Sequence, residues 1–88
     1  MKETELTIKN KLGLHARAAS LFVKTAEKFK CGVELEKDGV RVNAKSIMGI
    51  LMLAAPLGST VKISVNGESE EECLTALTQL VENKFGEE

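Results

Sequence analysis

Leu6 and Ile8 alternate with Glu5, Thr7 and Lys9, which is the period of a strand with one face buried. From Ala16 the period lengthens. Ala19, Phe22, Val23, Ala26 and Phe29 recur at helical spacing while Arg17, Lys24, Glu27 and Lys28 are left for solvent, so the pattern predicts an amphipathic helix over 16–28 that stops near Lys30 to Gly32. Alternation returns with Val33 and Leu35 against Glu34 and Glu36, and again at Val40 and Val42. Between them stands Lys37-Asp38-Gly39-Val40, a two-residue hairpin signal, because a type I′ turn needs positive φ at both central positions. Ser46 is a good N-cap for a short helix reaching about Leu53, closed by Pro56 and Gly58. Val61, Ile63 and Val65 then alternate with Lys62, Ser64 and Asn66, and Asn66-Gly67 ends that strand.

The last helix is signalled by Ser69 and Glu72 as a capping box, by Glu70, Glu71 and Glu72 at the positive end of the macrodipole, and by an apolar face of Cys73, Leu74, Leu77, Leu80, Val81 and Phe85. The order is β-α-β-β-α-β-α. Strands that alternate in polarity imply a sheet with one face in solvent and the other under helices, hence an α+β two-layer sandwich. Ferredoxin-like folds share this order, so the fold by itself assigns no function.

The chain has 88 residues, which is one domain by length, spanning 1–88, and too little for the two-lobed cleft of most metabolic enzymes. Twelve Lys and Arg against 13 Asp and Glu, three Phe, and no Trp or Tyr argue against a nucleic-acid partner that would need basic and stacking surfaces. Charge is nonetheless polarised: residues 1–45 hold ten basic against six acidic groups, residues 46–88 two against seven. Such a dipole orients encounters with charged partners, although charge runs most often serve only as solvated faces. Cys31 and Cys73 have neither metal nor redox spacing and read as reduced thiols of a cytoplasmic protein. The first residues lack the apolar core of a secretory signal, and the uncharged run 46–61 is too short and too broken to insert in a membrane.

The only histidine, His15, falls between a strand and an amphipathic helix, in Leu12-Gly13-Leu14-His15-Ala16-Arg17. In its bland reading it is a cap or surface residue. Its chemical reading starts from imidazole being largely unprotonated near neutral pH, so that a ring nitrogen can be a nucleophile without a separate base. The start of a helix adds free N–H groups and partial positive charge suited to a phosphoryl group, and the Arg17 guanidinium adds charge-assisted hydrogen bonds. A second candidate is Ser46-Ile47-Met48-Gly49-Ile50-Leu51-Met52-Leu53. So short a helix cannot bury its whole circumference, which leaves an exposed apolar patch for a partner or, in the bland reading, a tightly packed helix. A phosphate on Ser46, most simply an N-cap, would set about two negative charges beside that patch. Gly39 with Lys45-Ser46 only mimics a phosphate-binding loop: Ala44 stands where that motif requires its second glycine.

Gly13-Leu14-His15-Ala16-Arg17, followed about thirty residues later by Lys45-Ser46-Ile47-Met48-Gly49, resembles the HPr family, the histidine-containing phosphocarriers of the bacterial phosphoenolpyruvate-dependent sugar phosphotransferase system. The resemblance extends over nearly the whole chain. It implies an open-faced β-sandwich, a four-stranded antiparallel sheet covered on one face by three helices. It further implies that His15 accepts a phosphoryl group on Nδ1 from Enzyme I and passes it to IIA domains of sugar permeases, with Arg17 and the backbone N–H groups of Ala16 and Arg17 stabilising it. Ile47, Met48, Leu51 and Met52 would lie on or near the docking face. Ser46 would match the serine that HPr kinase/phosphorylase modifies in some bacteria, a form that a carbon-control transcription regulator reads.

No metal or bound cofactor is implied, and a monomer is the simplest expectation. Such a chain is a carrier with a transient phosphohistidine rather than a turnover enzyme. The chain departs from the family pattern at Ala18, where proline usually follows the arginine, and the missing ring should loosen the helix start. That departure leaves room for a regulatory module, nitrogen-related or carbon-control, that acts by protein binding. A ferredoxin-like small-ligand domain would predict no phosphorylation at all.

Overall fold

The computed structural model describes residues 1–87; Glu88, the last residue of the expected 1–88 domain, lies outside the described residues. Four strands, β1 (Lys2–Thr7), β2 (Cys31–Lys37), β3 (Val40–Asn43) and β4 (Thr60–Gly67), form one antiparallel sheet in the order β1-β4-β2-β3. Three helices, α1 (Ala16–Ala26), α2 (Ile47–Met52) and α3 (Glu70–Glu82), complete the open-faced α+β sandwich that the resemblance implies.

Each strand delivers its alternation to one side. Val33, Leu35, Val61, Ile63 and Val65 are all buried, whereas Glu3, Glu5, Glu34, Glu36, Arg41 and Lys62 stand on or beside the open face and pair among themselves in part. Register agrees with that division: Leu35 faces Ile63 on β4 and Val42 on β3, so a slip of one residue would turn these side chains to water. The β2–β3 connection is the expected two-residue turn, with Asp38 at φ 52° and Gly39 at φ 81°.

α3 packs on β1 and β4, and α1 fits between α2 and α3, sending Ala18, Ala19, Phe22, Val23 and Ala26 into the core. Burial of Phe22 alone contributes roughly 2–3 kcal/mol. The helix ends at Ala26 rather than Lys28 because the chain tightens there: Lys28 N–H donates to Thr25 O and Phe29 N–H to Ala26 O. Lys45 Nζ donates to Phe29 O at 2.9 Å and holds that end.

Two expectations about α3 are corrected. Ser69 makes no side-chain cap, since its backbone is left-handed (φ 58°) and its hydroxyl cannot reach the first helical N–H groups. Glu70 organises this corner instead, accepting from Gly67 N–H at 3.0 Å while its other oxygen lies 3.3 Å from the Met1 amino group. Phe85 is buried as expected but is not helical. α3 ends at Glu82, and Lys84–Gly86 form a separate turn in which Lys84, Phe85 and Gly86 all have positive φ.

Candidate functional site

His15 is the N-cap of α1, with extended backbone (φ −80°, ψ 179°), and its Nδ1 accepts the Arg17 N–H at 3.2 Å. The cap reading is the one the structure shows, and that cap directs a ring lone pair at the start of a helix. Ala16 and Ala18 N–H have no carbonyl one turn back to donate to, as at any helix start, so donors and partial positive charge surround Nδ1. The Arg17 side chain is exposed beside them.

The loop before His15 is held rigidly. Leu14 N–H donates to Ala55 O at 2.9 Å, and Gly13, at φ +68°, approaches so closely that a Cβ there would lie 2.4 Å from Ala55 O. These contacts join the histidine loop to the chain just beyond α2. At the other end of α2, Lys45 is tied to the end of α1 through Phe29. α1 and α2 are thus antiparallel neighbours, with the His15 loop at one end of α2 and Ser46 at the other.

Ser46 is the expected N-cap, its Oγ accepting from Gly49 N–H at 3.1 Å. α2 buries Ile50 and, in part, Leu51, while Ile47, Met48 and Met52 are exposed, the last two by 71% and 76%. Leu12 and Leu57 are also exposed, on the two loops that meet at Gly13. Neither was assigned to the patch from sequence, because loop residues carry no periodicity. A groove of about 470 Å³ lies on the open sheet face between Gly32, Glu34, Asn43, Ser64 and Asn66, but His15 does not line it and nothing there supplies chemistry.

Sequence reasoning also missed Asn10 and Glu87. The Glu87 carboxylate faces His15 Nε2 at 3.0 and 2.9 Å across 72 residues of chain. Asn10, fully buried, donates its Nδ2 to Glu87 at 2.9 Å and to Gly13 O at 2.7 Å. Chiefly this Asn10 hydrogen bond, and then His15 and Arg17, hold the Glu87 carboxyl below its ordinary value against the opposing effect of burial. No sequence signal marks Glu87, whose position depends on the turn at Lys84–Gly86.

Elsewhere, burial first and the neighbouring Cys31 second push the Cys73 thiol up to about 12, which makes it unreactive in the folded chain. Among the described residues no cluster of three metal-ligating side chains occurs, and no helix is long and apolar enough to cross a membrane.

Known proteins place this geometry. A model of the family described as "PTS HPr component phosphorylation site" matches residues 2–83. The chain is 48% identical over 88 residues to the phosphocarrier protein HPr of Xylella fastidiosa, covering 100% of this chain and 99% of that one. Among solved structures, HPr-C-His from Thermoanaerobacter tengcongensis superposes with a TM-score of 0.96 at 57% identity, covering 100% of this chain and 99% of that chain. An HPr dimer from the same organism gives 0.79 at 56% identity, covering 99% and 100%. Family model, full-length identity and fold agree, and the chain belongs to the HPr family of phosphocarriers of the phosphotransferase system.

Proposed function

We propose that this chain, one phosphocarrier domain over 1–88, takes a phosphoryl group from phospho-Enzyme I onto His15 Nδ1 and delivers it to IIA domains of sugar permeases. The observation that supports this most is the Nδ1 lone pair directed at the N–H groups that open α1. The 3.2 Å bond from Arg17 N–H is long, and little is lost when the lone pair turns to phosphorus. The same N–H then donates to a phosphoryl oxygen, with Ala16 N–H and the Arg17 guanidinium supplying further charge-assisted bonds.

In this reading the donor and acceptor proteins supply the rest of each active site, so the carrier needs no cavity of its own. No metal or cofactor takes part. Docking uses the apolar patch of Ile47, Met48 and Met52 with the edge of Leu51, and as a monomer the chain offers that patch to one partner at a time in the cytoplasm. Phosphorylation of Ser46 by HPr kinase/phosphorylase would act on docking, since Ser46 lies beside the patch and at the far end of α2 from His15. In organisms with a carbon-control regulator, that form would be the one it reads.

The test is intact mass after incubation with phosphoenolpyruvate and catalytic Enzyme I. A gain of about 80 Da that brief acid removes, absent in His15→Ala, is the expected result for a phosphohistidine. An acid-stable gain, or a gain retained in His15→Ala, would overturn the assignment.

A further inference from the structure

We infer that Glu87 is a positioning residue for transfer at His15, which rests on the carrier reading above: its carboxylate holds the Nε2 proton, keeps the Nδ1 lone pair toward the start of α1, and stabilises the positive charge the ring acquires during transfer. The tautomer follows from partners. A neutral imidazole has one donor and one acceptor nitrogen, and Nδ1 accepts from Arg17 N–H, so the proton sits on Nε2, between the two Glu87 oxygens at 3.0 and 2.9 Å. A carboxylate behind an imidazole fixes its orientation and tautomer, as in hydrolytic triads and metal-bound histidines.

The carboxylate is itself held in place. Asn10 is fully buried and gives both N–H groups of its amide away, one to Glu87 and one to Gly13 O, the carbonyl two residues before His15. The reversed amide would set its oxygen against the carboxylate. In the orientation present, Asn10 Oδ1 is buried without a partner among the described residues, a cost accepted where the donor side is needed. The chain reaches this point through the turn at Lys84–Gly86. Lys84 and Phe85, neither of them glycine, both have φ 56°, and the Phe85 ring is buried in the core, so the conformation is imposed by packing. Backbone strain of this kind concentrates at functional sites.

The Nδ1 lone pair forms a bond to the phosphorus of the donor's phosphohistidine, the donor's N–P bond breaks, and its electron pair returns to the donor nitrogen. His15 keeps its Nε2 proton, and its ring takes up positive charge as the new bond forms. The adjacent carboxylate favours that charge, and onward transfer reverses each change. Glu87 never contacts the phosphoryl group; it acts through the ring.

The experiment compares the wild-type chain, Glu87→Gln and Glu87→Ala by two readouts: ¹⁵N shifts of His15 at alkaline pH, which report the tautomer, and the rate of phosphorylation by phosphoenolpyruvate and Enzyme I. Glu87→Ala is expected to lose the dominant Nε2–H form and to slow phosphorylation about tenfold, with both readouts taken well below an unfolding midpoint that falls because the buried Asn10 amide loses a partner. In Glu87→Gln the amide oxygen still accepts the proton, so the tautomer persists while only part of the rate returns. Wild-type tautomer and rate in Glu87→Ala would overturn the inference, and so would a full wild-type rate in Glu87→Gln, because charge would then do nothing. A wild-type chain that takes up no phosphoryl group defeats the carrier reading instead, and the ¹⁵N comparison still decides whether Glu87 sets the His15 tautomer.

Discussion

Gly13→Ala tests whether the histidine loop is held by backbone contact. Gly13 has φ +68°, a region that costs an alanine about 1–2 kcal/mol. Its new Cβ would also stand 2.4 Å from Ala55 O and 2.8 Å from Pro56 Cα, both backbone atoms that no side-chain rotation can clear. Reaching ordinary contact requires a shift of about 1 Å, which strains the 2.9 Å bond from Leu14 N–H to Ala55 O and adds about 1–3 kcal/mol. The expected loss is therefore about 3 kcal/mol, a fall in melting temperature on the order of 10–20 °C for a domain of this size. Gly39→Ala is the control. Gly39 has φ +81° but open space around it, so that variant should lose only the conformational part, about 1–2 kcal/mol. Urea unfolding of both variants, with phosphorylation rates measured well below their melting points, provides the comparison. Equal losses for the two variants, or a wild-type rate in Gly13→Ala, would refute the idea that this contact positions His15.

Ser46→Ala should cost about 1 kcal/mol in urea unfolding through loss of the α2 cap, whereas Ser46→Asp keeps a capping oxygen and should slow transfer from Enzyme I at nearly unchanged stability. Ala54→Gly should stabilise the chain by about 1 kcal/mol in thermal unfolding, because Ala54 has φ 48° and its side chain is exposed. The Glu70 carboxyl is lowered chiefly by the Gly67 N–H, and that of Glu87 chiefly by Asn10; each should titrate below 4.5 by NMR. Because both pKa values are depressed in the folded chain, their stabilisation is present at neutral pH and lost as pH falls below 4.5 through the folded values. Cys73 should resist thiol reagents in the folded chain and react once urea unfolds it, and its raised pKa should lower stability between pH 9.0 and about 12, where only the unfolded thiol ionises.

Most of the fold was legible because its determinants are local. The alternation in β2 and β4, Asp38-Gly39 at the hairpin and Ser46 as a cap each act within a few residues, and the structure places each where its pattern indicates. The exceptions are tertiary. Ser69 has the composition of a cap, but its backbone is left-handed and Glu70 holds the corner, one oxygen on the nearby Gly67 N–H and the other on the Met1 amino group, a contact that exists only once β1 and β4 are paired. Phe85 follows the helical period closely enough to read as α3, yet the left-handed turn interrupts it. The site divides in the same way. His15, Ser46 and the apolar residues of α2 were visible from residue type and spacing, and the expectation of an incompletely buried α2 agrees with the exposure of Met48 and Met52. Asn10 and Glu87 were not, since no period links them to His15 and their roles arise from a turn at the far end of the chain.

The most direct measurement is a ¹⁵N and ³¹P NMR spectrum of ¹⁵N-histidine-labelled protein phosphorylated by phosphoenolpyruvate and Enzyme I. Coupling of phosphorus to Nδ1 of His15, with the proton on Nε2, is the result this account predicts. Phosphorus on Nε2, or on a hydroxyl oxygen, would contradict it.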